Sequence, residues 1–284
     1  MKSTVKELKK YLKEELAGYF DKDELDQVVF LVTEHLTGMS RTEQVLRGEE
    51  RPDKSVFDKS ATIVERLKQH EPIQYVLGTT EFYGFPFYTM RGVLIPRRET
   101  EELADWVWKT LKNRSQPLSI LDVGTGSGCI AVVLKKLLPF AQVMGWDYSE
   151  KILAVAEKNA ELNSAHVTFE KRNILEVDID QTFDVVVSNP PYVLESDKSK
   201  MASNVLDYEP EEALFVPDEE ALRFYYAIAA FSLKHLNPGG YLFFEIHERK
   251  GKEIKEYLEK TGFKNVEVRK DMQGKPRMVR GEKK

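Results

Sequence analysis

The sequence predicts an α/β protein, a parallel sheet with helices on both faces, preceded by a small bundle of helices. Three observations predict it. From about residue 97 to the end, short apolar runs alternate with amphipathic helical stretches, the pattern of strand–helix–strand units. The first of those runs ends in a glycine loop, Leu121-Asp-Val-Gly-Thr-Gly-Ser-Gly128. The first 75 or so residues instead carry apolar positions at helical spacing.

Val5, Leu8, Leu12, Leu16 and Tyr19 recur at steps of three and four and line one helix face. Asp23 is placed to cap a second helix with Leu25, Val28, Val29, Val32 and Leu36 inward, ended by Gly38. Ser40 opens a short third helix, and residues 55–69 form a fourth with Phe57, Ala61, Val64 and Leu67 inward. Nothing glycine-rich and no dense polar cluster occurs here, so residues 1–77 read as a docking or positioning module. Residues 78–96 are punctuated by Gly78, Gly84 and Gly92 between aromatic and β-branched runs, which predicts a hairpin bridging two domains. Residues 97–284 then alternate. Helices are expected at 99–112, 127–138, 149–162, 219–236 and 250–261. Strands are expected at 119–123, 142–146, 166–170, 183–187, 240–246, 266–268 and 278–279.

Composition narrows the function classes. Of 284 residues, 42% are hydrophobic and 31% charged, which excludes a disordered tail or a collagen-like chain. No apolar run approaches the length of a transmembrane helix. The stretch from Met1 to Lys10 lacks the apolar segment of a signal peptide, so a cytoplasmic location is the default expectation. The single cysteine, Cys129, excludes an internal disulfide and a cysteine-cluster metal site. At the start of a helix its thiol could be mildly activated, though a small buried residue is the simpler role. The five histidines form no i, i+4 pair, so no metal is expected. A net charge of −5 argues against a protein whose main affinity comes from neutralising phosphates.

Three motifs carry chemistry. Glycines 124, 126 and 128 allow a tight turn and close approach of a ligand to the backbone, but the spacing is neither a dinucleotide fingerprint nor a P-loop. Asp122, just before the turn, suits a cationic or amine-bearing ligand and would repel a pyrophosphate. Asp147 follows 25 residues after Asp122, from 147 − 122, about one strand–helix–strand step. There an acid can accept both hydroxyls of an adenosine ribose. Taken alone it could equally cap the next helix; the glycine loop in register favours the ribose. The third motif, Ser188-Asn-Pro-Pro-Tyr192, follows an apolar run. Its prolines stiffen the chain where a strand leaves the sheet. Asn189 offers an amide oxygen, Pro190 a carbonyl and Tyr192 a ring, which together suit a planar NH₂ group.

These motifs together resemble those of class I S-adenosyl-L-methionine (AdoMet) methyltransferases, and Asn-Pro-Pro-Tyr is the form found in enzymes acting on planar amino or amide nitrogen. Three more stretches are similar to the HemK/PrmC-type protein-(glutamine-N5) methyltransferases of class 1 peptide chain release factors. They are Pro72-Ile-Gln-Tyr-Val-Leu-Gly78 with Glu81, Phe82 and Gly84; Ile95-Pro-Arg-Arg-Glu-Thr-Glu101; and Tyr208-Glu-Pro210 with Ala213 and Leu214. Asp271, Gly274 and Arg277 resemble the family's ending. The sequence departs at Arg98, where the family has proline, and at Asn173 and Ile174, where relatives carry an acid and an aromatic.

The resemblance implies a Rossmann-like, mostly parallel seven-stranded sheet and transfer of methyl from AdoMet, leaving S-adenosyl-L-homocysteine, to the glutamine of a release factor's Gly-Gly-Gln motif. It implies catalytic roles for Asn189, Pro190 and Tyr192, with Pro191 also at the substrate. It assigns AdoMet to Asp122, Gly124, Thr125, Gly126, Ser127, Gly128, Asp147, Asn173, Ile174 and Asn189. The expected partner is a release factor, with a monomeric enzyme and neither membrane nor nucleic acid required. Three other readings are open: glutamine methylation of a ribosomal protein, methylation of an adenine N6 or guanine N2 amino group, and a non-enzymatic AdoMet-binding scaffold. The acidic net charge counts against the nucleic acid and the Asn-Pro-Pro-Tyr acceptors against the scaffold.

Overall fold

In a computed structural model the chain is described over residues 4–114, 116–177 and 179–284. The first three residues of the N-terminal reading lie outside the described residues. By its contacts the chain divides into two units, Met1–Gly78 with Ala202–Tyr208, and Thr79–Met201 with Glu209–Lys284.

The smaller unit is helical. Helix α1 (Val5–Leu16) begins with a capping box in which Thr4 and Glu7 exchange bonds with each other's backbone amides. It ends before Tyr19, which is 42% exposed and, against expectation, not part of the buried stripe of Val5, Leu8, Leu12 and Leu16. Helix α2 (Lys22–Thr37) is capped by Asp21, not Asp23. The amide of Asp23 is itself one of the two donors the Asp21 carboxylate accepts, at 3.1 Å, the other being Glu24 at 2.9 Å. Gly38 closes α2 in the left-handed conformation. Helix α3 (Arg41–Leu46) starts at Ser40 with a second capping box. In α4 (Lys54–Lys68) the buried stripe is Val56, Ser60, Ile63, Val64 and Leu67, and Ala61 faces solvent. That i, i+4, i+7, i+8, i+11 series is one helix face. Leucines 8, 12 and 16 of α1 close the core against Val28, Val29 and Val32 of α2 and this face of α4. A short α5 (Ile73–Leu77) follows. The same unit takes in α9 (Ser203–Tyr208), where the Tyr208 hydroxyl donates to the Gln69 carbonyl at 2.7 Å.

The larger unit opens with the hairpin β1 (Thr79–Phe82) and β2 (Phe85–Tyr88), paired antiparallel. Phe82 and Phe87 are buried in this unit's core, so the hairpin is part of it rather than a free bridge. Then come α6 (Arg98–Leu111), β3 (Ser119–Val123), α7 (Cys129–Leu137), β4 (Gln142–Asp147), α8 (Glu150–Leu162), β5 (Val167–Lys171) and β6 (Phe183–Ser188). A two-strand parallel pair, β7 (Val193–Leu194) and β8 (Phe215–Val216), comes before and after α9 and α10 (Glu211–Leu214) in the sequence. Helix α11 (Arg223–His235), β9 (Leu236–Glu245), α12 (Gly251–Thr261), β10 (Phe263–Lys270) and β11 (Pro276–Lys283) complete it. The long helix expected from 219 starts only at Arg223, because Asp218–Glu220 is a separate 3₁₀ turn.

The seven-stranded sheet has the order β10-β11-β9-β6-β3-β4-β5, parallel throughout except β11, which is antiparallel to both neighbours. Successive residues of a strand enter opposite cores, as the pleat requires. Ile120, Val185, Val187 and Phe243 join α6 and α7 on one face. Leu121, Val186, Leu242 and Phe244 join α11 and α12 on the other. From β3 the chain runs outward one way to β4 and β5, then crosses back to β6 and β9 on the other side. A sheet of this kind opens a crevice at the carboxyl ends of the strands where the order reverses. Among the described residues, no helix is long and apolar enough to cross a membrane.

Candidate active site

The crevice is a cavity of about 170 Å³ at the carboxyl ends of β3, β4 and β6. Its floor is the glycine loop. The amides of Gly124 and Thr125 donate to the Trp146 carbonyl at 2.9 and 2.8 Å, which joins the loop to β4. Gly124, Gly126 and Gly128 all have positive φ, at 70°, 54° and 79°. A Cβ on either of the first two would meet nothing within 4 Å, so this backbone faces open space. Gly145 is required for another reason: a Cβ there would lie 2.8 Å from the Phe169 ring and the Thr125 hydroxyl.

Of the residues expected from the sequence, Gly124, Gly126, Asp147, Asn173, Ile174, Asn189, Pro190 and Pro191 share this cavity's wall. Asp147 is 7% exposed and accepts from Gly126 N through Oδ2 and from Ser149 N through Oδ1, each at 3.1 Å. It therefore holds the loop and makes the turn into α8, but Ser149 and not Asp147 is the N-cap of that helix. Burial pushes its carboxyl above the usual range, against the pull of the Ser149, Gly126 and Tyr148 amides.

Asp122, Thr125, Ser127, Gly128 and Tyr192 do not line the cavity. Asp122 has no exposed surface. Its Oδ2 accepts the Thr125 hydroxyl at 2.6 Å, and Oδ1 has no hydrogen-bond partner. It braces the loop from beneath, so the expectation that it meets an amine-bearing ligand directly is corrected by its burial. The Ser127 carbonyl accepts from Asn159 Nδ2 at 2.9 Å, and Gly128 starts α7 against Ala156 and Phe169. Burial pushes the Cys129 thiol up to about 12, which leaves it unactivated.

Burial also pushes the Asp122 carboxyl up to about 7, with the Thr125 hydrogen bond pulling the other way. An aspartate in the unfolded chain ionises near 4. Ionising Asp122 in the folded protein therefore costs stability that is untouched below that pH and is lost progressively as pH rises to about 7. Relative to Asp122→Asn, the native protein should lose up to about 4 kcal/mol of unfolding free energy between pH 4 and pH 7. Urea unfolding of both proteins across that range tests this, and a constant difference would show that the buried acid does not titrate there.

Several neighbours lie in stretches that the sequence singled out, but with no role legible for the individual side chain. Ser188 is buried and donates to the Val123 carbonyl at 2.6 Å, tying β6 to β3 beneath the cavity. Glu209, whose side chain is 1% exposed, accepts from Arg97 at 2.5 Å and from the Ile95 amide at 3.3 Å. This pair anchors the chain just before Pro210, Glu212 and Ala213, which complete the wall. Thr100 in the first turn of α6 and Glu245 at the end of β9 stand behind Asn189: Thr100 Oγ1 donates to Glu245 Oε2 at 2.6 Å, and the Tyr192 hydroxyl donates to Glu245 Oε1 at 2.9 Å. The available clue was an acid closing the apolar run Leu242-Phe-Phe244 at the carboxyl end of a buried strand. No group of three or more His, Cys, Asp or Glu side chains is placed to hold a metal among the described residues.

Residues 115–262 match the family model of a methyltransferase domain, and residues 6–78 match that of the PrmC N-terminal domain. The release factor glutamine methyltransferase of Flavobacterium psychrophilum is 44% identical over 272 residues, covering 93% of this chain and 94% of that protein. Its namesake from Bacteroides thetaiotaomicron is 48% identical over 219 residues, 76% of this chain and 78% of that one. Among solved structures, a Thermus thermophilus 16S rRNA N2 G1207 methyltransferase in complex with AdoMet and guanosine superposes with a TM-score of 0.52 at 17% identity, over 72% of this chain and 50% of that chain. A methyltransferase from Pyrococcus furiosus gives 0.51 at 20% identity, over 71% and 90%.

Proposed function

This chain belongs to the release factor glutamine methyltransferase family, and from that premise we propose how its residues methylate the side-chain N5 of the glutamine in the Gly-Gly-Gln motif of class 1 release factors. The observation that carries the reading is a single cavity shared by an open glycine loop, the Asp147 carboxylate and the Asn189-Pro190-Pro191 stretch. The open space before Gly124 and Gly126 and the carboxylate beside it fit AdoMet, whose ribose presents two neighbouring hydroxyls. Asp147 would accept those hydroxyls, with Asn173 and Ile174 flanking the base. When bound, AdoMet supplies an electrophilic methyl on a sulfonium.

The residues of this chain orient the other reactant. A glutamine amide is a weak nucleophile because its nitrogen lone pair is delocalised into the carbonyl. Asn189, Pro190 and Pro191 carry no side chain that takes a proton from a neutral amide. Their contribution is geometric and electrostatic: Asn189 Oδ1 and the Pro190 carbonyl accept the two NH₂ hydrogens, hold the nitrogen in one orientation and raise its electron density. The proline pair keeps those acceptors rigid. Tyr192, its hydroxyl anchored on Glu245, holds the following backbone from behind the cavity wall and does not face the substrate as the sequence suggested. The proposed enzyme acts as a monomer, and a release factor substrate implies the cytoplasm.

Methyl-labelled AdoMet with an intact release factor, a ribosomal protein extract or DNA in separate reactions tests the target. Label is expected on one release factor glutamine; label confined to ribosomal protein or DNA would overturn the assignment.

The helical unit is proposed to hold the release factor away from the reacting glutamine. Val45 and Leu46, at the end of α3, are 75% and 78% exposed, beside Lys6, Lys9, Lys10 and Lys13. Remote contacts can supply orientation energy at a reacting centre. A short Gly-Gly-Gln peptide should accordingly be a much poorer substrate than the intact factor. Replacing Val45 and Leu46 together by glutamate should raise KM for the intact factor by about tenfold, roughly the loss of one significant interface contact. The peptide should be unaffected. Equal KM values for the intact factor would end the docking role of this surface.

A further inference from the structure

Asn189 Nδ2 donates to Thr100 Oγ1 at 3.1 Å, and Thr100 Oγ1 in turn donates to Glu245 Oε2 at 2.6 Å. The three side chains come from distant points in the sequence: the exit of β6, the first turn of α6 and the end of β9. Thr100 is 3% exposed and Glu245 1%. A primary amide is nearly symmetric in shape, yet its two ends are opposite in hydrogen bonding, one a pure acceptor and the other a pure donor. The use made of Asn189 above requires the acceptor end to face the substrate. Neither the backbone nor the size of the pocket selects that end.

We propose that Thr100 and Glu245 are positioning residues that set the polarity of the Asn189 amide. An ionised carboxylate only accepts, so Glu245 takes the one hydroxyl hydrogen of Thr100. The Thr100 oxygen is then left as an acceptor. Only the NH₂ end of Asn189 can serve it, so Oδ1 is directed the other way. Turning the amide over would set oxygen lone pairs against each other at Thr100 and two NH₂ groups against each other at the substrate. The Tyr192 hydroxyl occupies the other oxygen of Glu245. Burial pushes the Glu245 carboxyl above the usual range, while the Thr100 and Tyr192 hydrogen bonds and the positive charge of Arg277, itself bonded to Asp271 at 3.1 Å, pull it back toward the ionised form. One carboxylate thereby orients both Asn189, through Thr100, and Tyr192 directly.

This inference rests on the acceptor role proposed for Asn189, and the experiment separates the two. The kcat, the KM for an intact release factor and the AdoMet Kd are measured for the native enzyme, Thr100→Val, Thr100→Ser and Asn189→Ala. Valine keeps the shape of threonine and removes the hydroxyl. It should lower kcat by about 10- to 100-fold, the scale of a misaligned reactant, with KM and Kd within about threefold. Serine restores the hydroxyl without the methyl and should bring kcat back to within about threefold of native. A Thr100→Val enzyme with near-native kcat, or a Thr100→Ser enzyme as slow as the valine variant, overturns the proposal, since packing and not polarity would then be at stake. If Asn189→Ala abolishes turnover while Thr100→Val does not, the polarity device fails alone. If Asn189→Ala keeps native turnover, the acceptor role fails and this inference with it.

Discussion

Asn189→Ala is expected to lower kcat by about 100-fold or more while the AdoMet Kd stays within about threefold, the pattern of a contact that matters for aiming the substrate nitrogen. The alanine loses the Oδ1 acceptor and leaves the Pro190 carbonyl as the only one in the motif. A glutamine NH₂ held at one hydrogen can rotate out of the orientation that transfer needs. Asn189 is only partly buried and its one protein hydrogen bond among those described goes to Thr100, so the fold should survive the change. Asn189→Asp makes a sharper companion. It keeps an acceptor but loses the donor to Thr100, whose hydroxyl hydrogen already goes to Glu245, and adds charge near that buried acid. It too should be slow. Rapid-quench measurement of methyl transfer to a release factor in a single turnover gives the chemical step without product release. A loss of only a few-fold for both variants would remove Asn189 from the reaction.

Asp147→Ala should weaken AdoMet by about 10- to 100-fold, or roughly 1.5–3 kcal/mol, the scale of hydrogen bonds to a charged group. Two losses combine. The acceptor for the ribose hydroxyls disappears, and the Gly126 amide is released from Asp147 Oδ2, so the loop backbone is no longer held against β4 at that point. Asp147→Asn keeps one acceptor oxygen and should fall between the alanine variant and the native protein. Folding stability should not follow affinity, because burial already disfavours the charged carboxylate and its removal relieves that cost. Isothermal titration alongside thermal unfolding separates the two quantities. Unchanged affinity in the alanine variant would exclude Asp147 from the ribose, and a parallel collapse of Tm would mark it as a structural brace.

Much of the α/β unit was legible because its elements are dictated locally. The run Phe183–Val187 is apolar at every position but Asp184, and a strand covered on both faces uses such a run. The glycines at 124, 126 and 128 announce positive φ, which the backbone adopts at all three. Small misreadings arose where one residue decides a boundary. Asp21 and Asp23 are both acids near the start of α2, and sequence does not say which side chain reaches which amide. In α4 the inward face depends on where the helix starts, so Ala61 was placed on the wrong side. The mixed segment between β6 and α11 gave no clear period, because its elements are two to six residues long and are held by contacts from elsewhere, such as Glu209 accepting from Arg97.

The sequence by itself determined the chemistry on offer: a glycine turn, an acid one strand–helix–strand step later, and a rigid amide-and-carbonyl pair after a buried strand. Each is a run of neighbours whose spacing is fixed by the local backbone. Which of those groups face the cavity was decided only by the tertiary structure. Asp122 looked as exposed to a ligand as Asp147, yet the crossing of β3 under the loop buries the first and leaves the second on the cavity wall. The same holds for the polarity of Asn189, set by a threonine 89 positions before it and by Glu245, which lies 145 positions beyond that threonine. A hydrogen-bond chain of this kind has no sequence period. It exists only once the sheet has brought the ends of β6 and β9 beside the first turn of α6, where burial leaves each donor a single acceptor to choose.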